Sequence, residues 1–389
     1  MSGALAPLPF APSPLGRRIR VTFLIDELRV WTAGTERHLL TINAALDTET
    51  FEREVCVFST PPAGAAEALR AAVHVVGPAH GGKISRLQLL RSLMARFRET
   101  KPDIVQTFFP GAHLYGTLAA WWTGVPVIVA SRRDTGYWRG PSYALTRPLV
   151  NRAVDVWQCN SRAAAESVLS EGVPASRIQL LPNAIDCRRF APASSQERAE
   201  LRKQLGLPAN STVFVAVANL RPVKSPGTLV EAAALLLRRH SDVYFVLVGS
   251  GPLREVLTAR ARELRIAEAL RFLGEQPEVA PYVRAADAGV LSSLSEGSSN
   301  ALLEYMAAGL PVVVSDVGGN RELVDGLFFK PGNAEEFAEK MKYLIDNPQE
   351  AEAFGRRNRQ RASAQSEDIV ARTARQSYVK LVERLHSRL

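Results

Sequence analysis

Short apolar runs recur along this chain, each separated from the next by a helix-length stretch, and the pattern restarts near its middle. The first series is Ile19–Ile25, Glu52–Phe58, Val73–Val76, Asp103–Thr107, Val125–Ala130 and Val154–Cys159. The second is Val213–Ala218, Val243–Val248, Leu270–Leu273, Ala288–Leu291 and Pro311–Ser315. Continuous apolar runs suit strands buried on both faces, and intervening helices supply the crossovers that parallel strands need. Helices are expected at Ile84–Phe97, Gly227–Arg239, Leu253–Leu264, Asn300–Ala308, Ala334–Asp346 and Ile369–Leu389. The fold class is therefore α/β, with two Rossmann-like doubly wound domains facing a central cleft. The turn-rich Pro182–Asp186 and Ala191–Ser195 segments mark the boundary. The expected division is 1–16 as a disordered lead-in, 17–188 and 189–368 as the two domains, and 369–389 as a helix packing back on the first.

Several classes fall away. No stretch approaches the roughly 20 apolar residues that span a bilayer, and Met1–Gly16 lacks the basic start and apolar centre of a signal peptide. Cys56, Cys159 and Cys187 are an odd, scattered set, which argues against a disulfide framework or a zinc site. The cytoplasm is the expected compartment. Neither half carries Gly-x-Gly-x-x-Gly after its first strand, so a nicotinamide dehydrogenase is not indicated, and no Gly-x4-Gly-Lys-Ser/Thr loop is present. Net charge is +9, and most of the excess lies in the first half, where 22 Lys/Arg meet 15 Asp/Glu up to residue 190. That asymmetry, with the basic amphipathic stretch Lys83–Arg98, makes an anionic membrane surface a candidate partner. Nucleic acid has no motif to support it.

The most informative segment runs from Ser295 to Glu322. Glu296 sits in a strand-to-helix loop, and Glu304 follows eight residues later inside the helix. Two carboxylates so spaced lie roughly 10 Å apart along the axis. That is too far for one acid/base dyad, but it suits the two hydroxyl-rich ends of an elongated ligand. Between them the amides of Gly297, Ser298, Ser299, Asn300 and Ala301 form a helix amino terminus, where an anion binds readily. Carboxylate, amides and carboxylate match sugar, diphosphate and ribose in that order. In the loop after the second domain's first strand, Asn219, Arg221 and Lys224 could bring positive charge to the same diphosphate.

This segment resembles the Glu-x7-Glu motif of the family 4 retaining glycosyltransferases, whose fold is the two-Rossmann GT-B type. Gly318-Gly319 and Glu322 fit the same pattern. The resemblance implies that Glu296 contacts the donor sugar, Glu304 the ribose, and Lys224 the diphosphate. Asn219 stands where the family commonly has arginine, with Arg221 as a substitute. Val248-Gly-Ser-Gly-Pro resembles a family turn whose glycines serve backbone freedom. Gly274 and Glu275 fall where the nucleotide base is received, and Ala33-Gly34-Thr35-Glu36 resembles a Gly-Gly-x-Glu loop near the phosphates, which makes Gly34 a donor contact. His113, Arg132 and Arg133, at strand ends of the first domain, are candidate acceptor contacts.

The expected function is thus retaining transfer of a sugar from a nucleotide-diphosphate sugar to an acceptor hydroxyl, in bacterial polysaccharide or lipid-linked glycan synthesis. The acceptor would be a glycan, a lipid-linked glycan or a small molecule. The nucleotide sugar is a co-substrate, no cofactor or metal is expected, and the place is the cytoplasm or the inner face of its membrane. The alternatives are a GT-B nucleotide-sugar epimerase and a non-catalytic nucleotide-sugar-binding subunit.

Overall fold

The computed structural model describes residues 13–28, 34–77, 85–136 and 140–386. They form two units. One comprises residues up to Ala184 together with those from Asp368 onward, and the other runs from Ile185 to Glu367. Residues 1–12 of the expected 1–16 lead-in and the loop residue Ala33 lie outside the described residues, while Ser13–Gly16 form a turn closed by Gly16 N–H on Ser13 O at 3.2 Å.

The first unit holds seven parallel strands: β1 (Ile19–Ile25), β2 (Phe51–Val57), β3 (Ala72–Val75), β4 (Ile104–Phe108), β5 (Val127–Arg132), β6 (Val156–Cys159) and β7 (Ile178–Leu180). Their order is β3-β2-β1-β4-β5-β6-β7. The second holds β8 (Thr212–Val217), β9 (Val243–Val248), β10 (Leu270–Gly274), β11 (Ala288–Leu291), β12 (Val312–Ser315) and β13 (Leu327–Phe329), ordered β10-β9-β8-β11-β12-β13. In each sheet the chain first winds one way and then returns past its starting strand. The reversals fall between β1 and β4, and between β8 and β11. Crossover helices leave those gaps uncovered at the strand carboxyl ends, where ligands of open α/β sheets bind.

Both faces of both sheets are covered, which is why the strands are apolar throughout. Leu89, Leu93 and Phe97 of the Arg86–Thr100 helix pack with Val105, Ile128 and Trp157 on one face of the first sheet. The other face takes Leu39 and Ile42 of the Gly34–Ala45 helix, and also Val370, Ala374 and Tyr378 of the Glu367–His386 helix. Tyr378 is buried, and its hydroxyl donates to Gln106 Oε1 on β4. Ser377 Oγ donates to Gln179 Oε1 on β7 at 2.7 Å, and Arg375 Nε reaches Asp47 Oδ2 at 2.9 Å. Burial alone would raise the Asp47 carboxyl, but the Arg375 and Thr50 hydrogen bonds outweigh it and hold it below the usual range.

Short elements escape the apolar pattern. The Ser195–Gln204 helix, which was not among the expected helices, is largely polar and starts with a capping box between Ser194 and Glu197. Pro348–Ser363 is a further helix, and β7 and β13 have only three residues each. Tyr378→Ala removes a buried ring and strands Gln106. It should lower the unfolding free energy by about 3–5 kcal/mol in urea titration, and Tyr378→Phe should cost less.

Candidate functional site

The second unit builds its polar centre where β8 and β11 end, at the reversal of strand order. After β8 the backbone turns through Ala218–Arg221 into a short 3-10 turn, Pro222–Lys224. Two neighbouring loops hold it. Ala218 N–H donates to Val248 O at 3.0 Å, and Leu220 N–H to Ser250 O at 3.0 Å. The approach is so close that a Cβ at Gly249 would lie 2.1 Å from Ala218 O, and one at Gly251 2.5 Å from Leu220 O. The glycines of the Val248-Gly-Ser-Gly-Pro turn therefore allow two backbones to touch.

Lys224 Nζ meets Glu296 Oε1 at 2.6 Å, and their side chains are 26% and 7% exposed. Ser293 Oγ donates to the same Oε1 at 2.6 Å. Ser292 Oγ donates to the carbonyls of Lys224 and Ser225 at 3.0 Å each, so the residue directly after β11 grips the turn that carries the lysine. Leu294 N–H donates to Val223 O at 2.8 Å. Behind Ser293, its carbonyl accepts from Ser315 Oγ at 2.6 Å, and the Ser315 carbonyl accepts from Asn320 Nδ2 at 3.0 Å. Ser293, Ser315 and Asn320 are all buried. Gly318, with φ at +48°, lies against Glu296, and a Cβ there would sit 1.7 Å from its carbonyl oxygen. Polar groups with partners on three sides, in low dielectric, have little freedom to reorient.

The Asn300–Ala307 helix begins just after this loop, with Ser299 at its N-cap position. Its direction is set by Tyr305, whose hydroxyl accepts the Val217 N–H at 2.7 Å and whose ring fills the space above Gly289. Burial pushes that phenol's pKa up, so it stays neutral. Glu304, the neighbouring residue, is only 2% exposed. Glu296 in the loop before this helix is also buried, so neither glutamate is a solvated surface residue. Gly297, Ser299 and Ala301 are buried, while Ser298 and Asn300 are half-buried at the start of the helix. Asn219, Arg221 and Glu275 are exposed on the rim, and Gly274 takes a positive φ of 74° where β10 ends. Gly274 O accepts from Gly249 N–H at 2.8 Å, which joins a third strand end to the group.

In the first unit, β4 and β5 end around a small cavity of about 30 Å³. It is lined by Thr35, Phe109, Pro110, His113, Ser131, Arg132, Arg133 and Asp134. This volume suits about one water rather than a sugar. Two of the candidate acceptor residues lining it also have interior partners. His113 is buried, with Nδ1 2.9 Å from Thr107 Oγ1 and its ring against Trp157. Burial, helped by Arg132, drives its pKa down to about 3, so the ring is neutral. Arg132 is also buried. Its Nη2 reaches Tyr143 Oη at 2.7 Å and Glu171 Oε1 at 3.1 Å, and its guanidinium lies 5.0 Å from the Trp157 ring centre. With Glu171 it forms a buried ion pair at the strand end where an acceptor contact was expected. Arg133 instead turns toward the Gly34 loop, with Nη2 3.5 Å from Gly34 O and 2.5 Å from Asn183 Oδ1. Burial lowers its pKa, against the opposing pull of Glu36 and Asp134.

Sequence reasoning passed over Asp26, Asn183 and Ser293. Asp26 ends β1 and accepts the N–H groups of Gly111 and Ala112, and a Cβ at Gly111 would clash with its carboxylate. Burial outweighs both hydrogen bonds and raises its pKa to about 6. The available signals were an aspartate directly after the first strand and a serine pair directly after β11.

Family models match both units, "Glycosyltransferase Family 4" over residues 32–189 and "Glycosyl transferases group 1" over residues 197–361. The chain is 30% identical over 281 residues to the Escherichia coli UDP-Gal:alpha-D-GlcNAc-diphosphoundecaprenol alpha-1,3-galactosyltransferase, covering 68% of this chain and 72% of that protein. It is 29% identical over 228 residues to a D-inositol 3-phosphate glycosyltransferase of Thermobispora bispora, covering 55% and 53%. Among solved structures, Anabaena HepE in complex with UDP superposes with a TM-score of 0.81 at 21% identity, over 94% of this chain and all of that one. WaaG, a glycosyltransferase involved in lipopolysaccharide biosynthesis, gives 0.72 at 18% identity, covering 91% and 98%. These likenesses identify the GT-B fold.

Two outcomes can be measured. Gly318→Ala should push the Glu296 loop aside and cut turnover by about 10²-fold, with far-UV circular dichroism unchanged. Asp26 holds its proton more tightly folded than unfolded, where its pKa is about 3.9. Its contribution is therefore full below about 3.9 and lost as pH rises through about 6. Asp26→Asn forfeits one of the two N–H contacts, but its stability difference from the parent should move in the variant's favour between pH 4 and 7, by up to about 3 kcal/mol in urea titrations. Matched motifs, two matched domains and a relative aligned over most of its length agree: the chain belongs to glycosyltransferase family 4 and has the GT-B fold.

Proposed function

We propose that this glycosyltransferase moves a hexose, with retention, from a UDP-sugar to a hydroxyl of a lipid-linked or polysaccharide glycan. The observation that carries the reading is the Lys224–Glu296 pair at the β8/β11 reversal, beside the start of the Asn300–Ala307 helix. The donor diphosphate lies against Lys224 and the amides of Gly297–Ala301. Glu296 takes sugar hydroxyls and Glu304 the ribose. As the bond from the anomeric carbon to the phosphate oxygen breaks, charge grows on the leaving diphosphate, and fixed positive groups lower that barrier. The acceptor oxygen bonds the anomeric carbon from the face just vacated. Its proton passes to the departing phosphate oxygen, so no enzyme base is required.

UDP is favoured because the E. coli relative is named for UDP-Gal and the Anabaena structure contains UDP. The acceptor class follows the same relative, whose name specifies a diphosphoundecaprenol-linked sugar. Such an acceptor would hold the protein at the cytoplasmic face of a bilayer, with an anionic membrane surface as a partner. Metal has no role in this reading, since lysine and helix amides supply the positive potential. No helix among the described residues is long and apolar enough to cross a membrane.

Acceptor-dependent release of UDP tests the proposal. Lys224→Ala should lose about 10²–10³-fold in rate, Glu304→Ala should weaken the thermal shift given by UDP-sugars, and EDTA should leave turnover unchanged. Binding without turnover across donors and acceptors would remove the transferase reading.

A further inference from the structure

We infer that the outer surface of three packed helices in the first unit is a docking face for an anionic lipid bilayer. This inference rests on the reading above that the acceptor is held at a membrane, and it names the surface that meets it. The helices are Arg86–Thr100, Thr117–Trp122 and Pro141–Ala153, and the middle one packs on both others. Their inward faces are already satisfied: Leu89, Leu93, Phe97, Ala119, Ala120 and Val150 are buried against the sheet. Outward they still present Trp121, Trp122, Leu87, Leu145 and Leu149, with Trp122 70% and Leu145 84% exposed. On the Pro141–Ala153 helix, Leu145, Pro148, Leu149 and Arg152 are all exposed at i, i+3, i+4 and i+7, which makes one stripe. Isolated exposed leucines are ordinary. An apolar stripe beside two adjacent exposed tryptophans is not.

Charge selects the occupant. The three helices contain six arginines, Arg86, Arg91, Arg96, Arg98, Arg147 and Arg152, and a single acid, Glu99. Glu99 is already engaged by Arg96 at 3.1 Å. Arg86, Arg91, Arg98 and Arg152 are exposed, and the single exposed carboxylate of these helices, Glu99, is outnumbered four to one by them. Tryptophan has an apolar body and a polar N–H, and it settles at the boundary between headgroups and acyl chains. Arginine stems lie along apolar surface while their heads reach phosphate. A protein partner would be expected to satisfy some of this charge with acids. A bilayer rich in anionic lipid satisfies all of it and receives the indoles and leucines together.

The test is sedimentation of the full chain with phosphatidylcholine vesicles, and with vesicles containing phosphatidylglycerol, at low and high salt. The parent should partition onto the anionic vesicles alone, with a blue shift in tryptophan emission and weaker binding at high salt. Trp121→Ser with Trp122→Ser, and separately Leu145→Ser with Leu149→Ser, should each reduce partitioning by about tenfold or more. Arg91→Gln and Arg152→Gln should each reduce it about fivefold. A UDP thermal shift, measured on every variant, should stay at the parent value. If the parent remains in the supernatant with both vesicles, or the double variants bind like the parent, the docking face is overturned. An intact UDP shift in that case leaves the transferase reading standing. Reversible self-association abolished by the same leucine changes, without vesicle binding, would also overturn it and assign the stripe to a protein contact.

Discussion

Everything in the second unit converges on holding one lysine against one glutamate where two parallel strands end. The pair is mostly shielded from water, which makes an isolated charge costly and a paired one directional. Its geometry is not left to the two side chains. Ser293 fixes the carboxylate, Ser292 fixes the lysine's turn, and Gly318 lets the following segment press against the glutamate's own backbone. A charge pair braced this way can meet a diphosphate without rearranging, and that preorganisation is where electrostatic catalysis draws its strength.

The two units use the same winding to different ends. Both reverse strand order beside their first strand, so both have an open gap at the strand carboxyl ends. In the second unit the gap is lined by groups aimed outward along a helix start. In the first it is largely closed by the Phe109–Gly116 turns, with Asp26 tying their amides and His113 and Arg132 committed to interior partners. Arg133 remains nearest the Gly34 loop.

The repeated apolar runs made the two sheets legible, because a strand covered on both faces must be apolar at nearly every position. Polar helices such as Ser195–Gln204 carry no such mark and were not anticipated. At the site, Glu296 and Glu304 could be found by spacing, since both lie on one loop-helix unit. Ser315 and Asn320 could not, because they reach Ser293 across a neighbouring strand rather than along the chain. His113 and Arg132 show the converse limit. Their strand-end positions were apparent in the sequence, but which way each head turns depends on Trp157, Glu171 and Tyr143, three residues distant in sequence that become neighbours only on folding.

The Glu367–His386 helix also bears on how the molecule is made. Its Val370, Ala374 and Tyr378 complete the hydrophobic face of a sheet whose strands were synthesised some two hundred residues earlier. The second unit is continuous in sequence and can close as soon as it leaves the ribosome. The first must wait, with part of one sheet face uncovered beside the Gly34–Ala45 helix, until the Glu367–His386 helix emerges. During translation the later-made half is therefore the earlier to mature, and the interval is when the nascent chain most needs a chaperone.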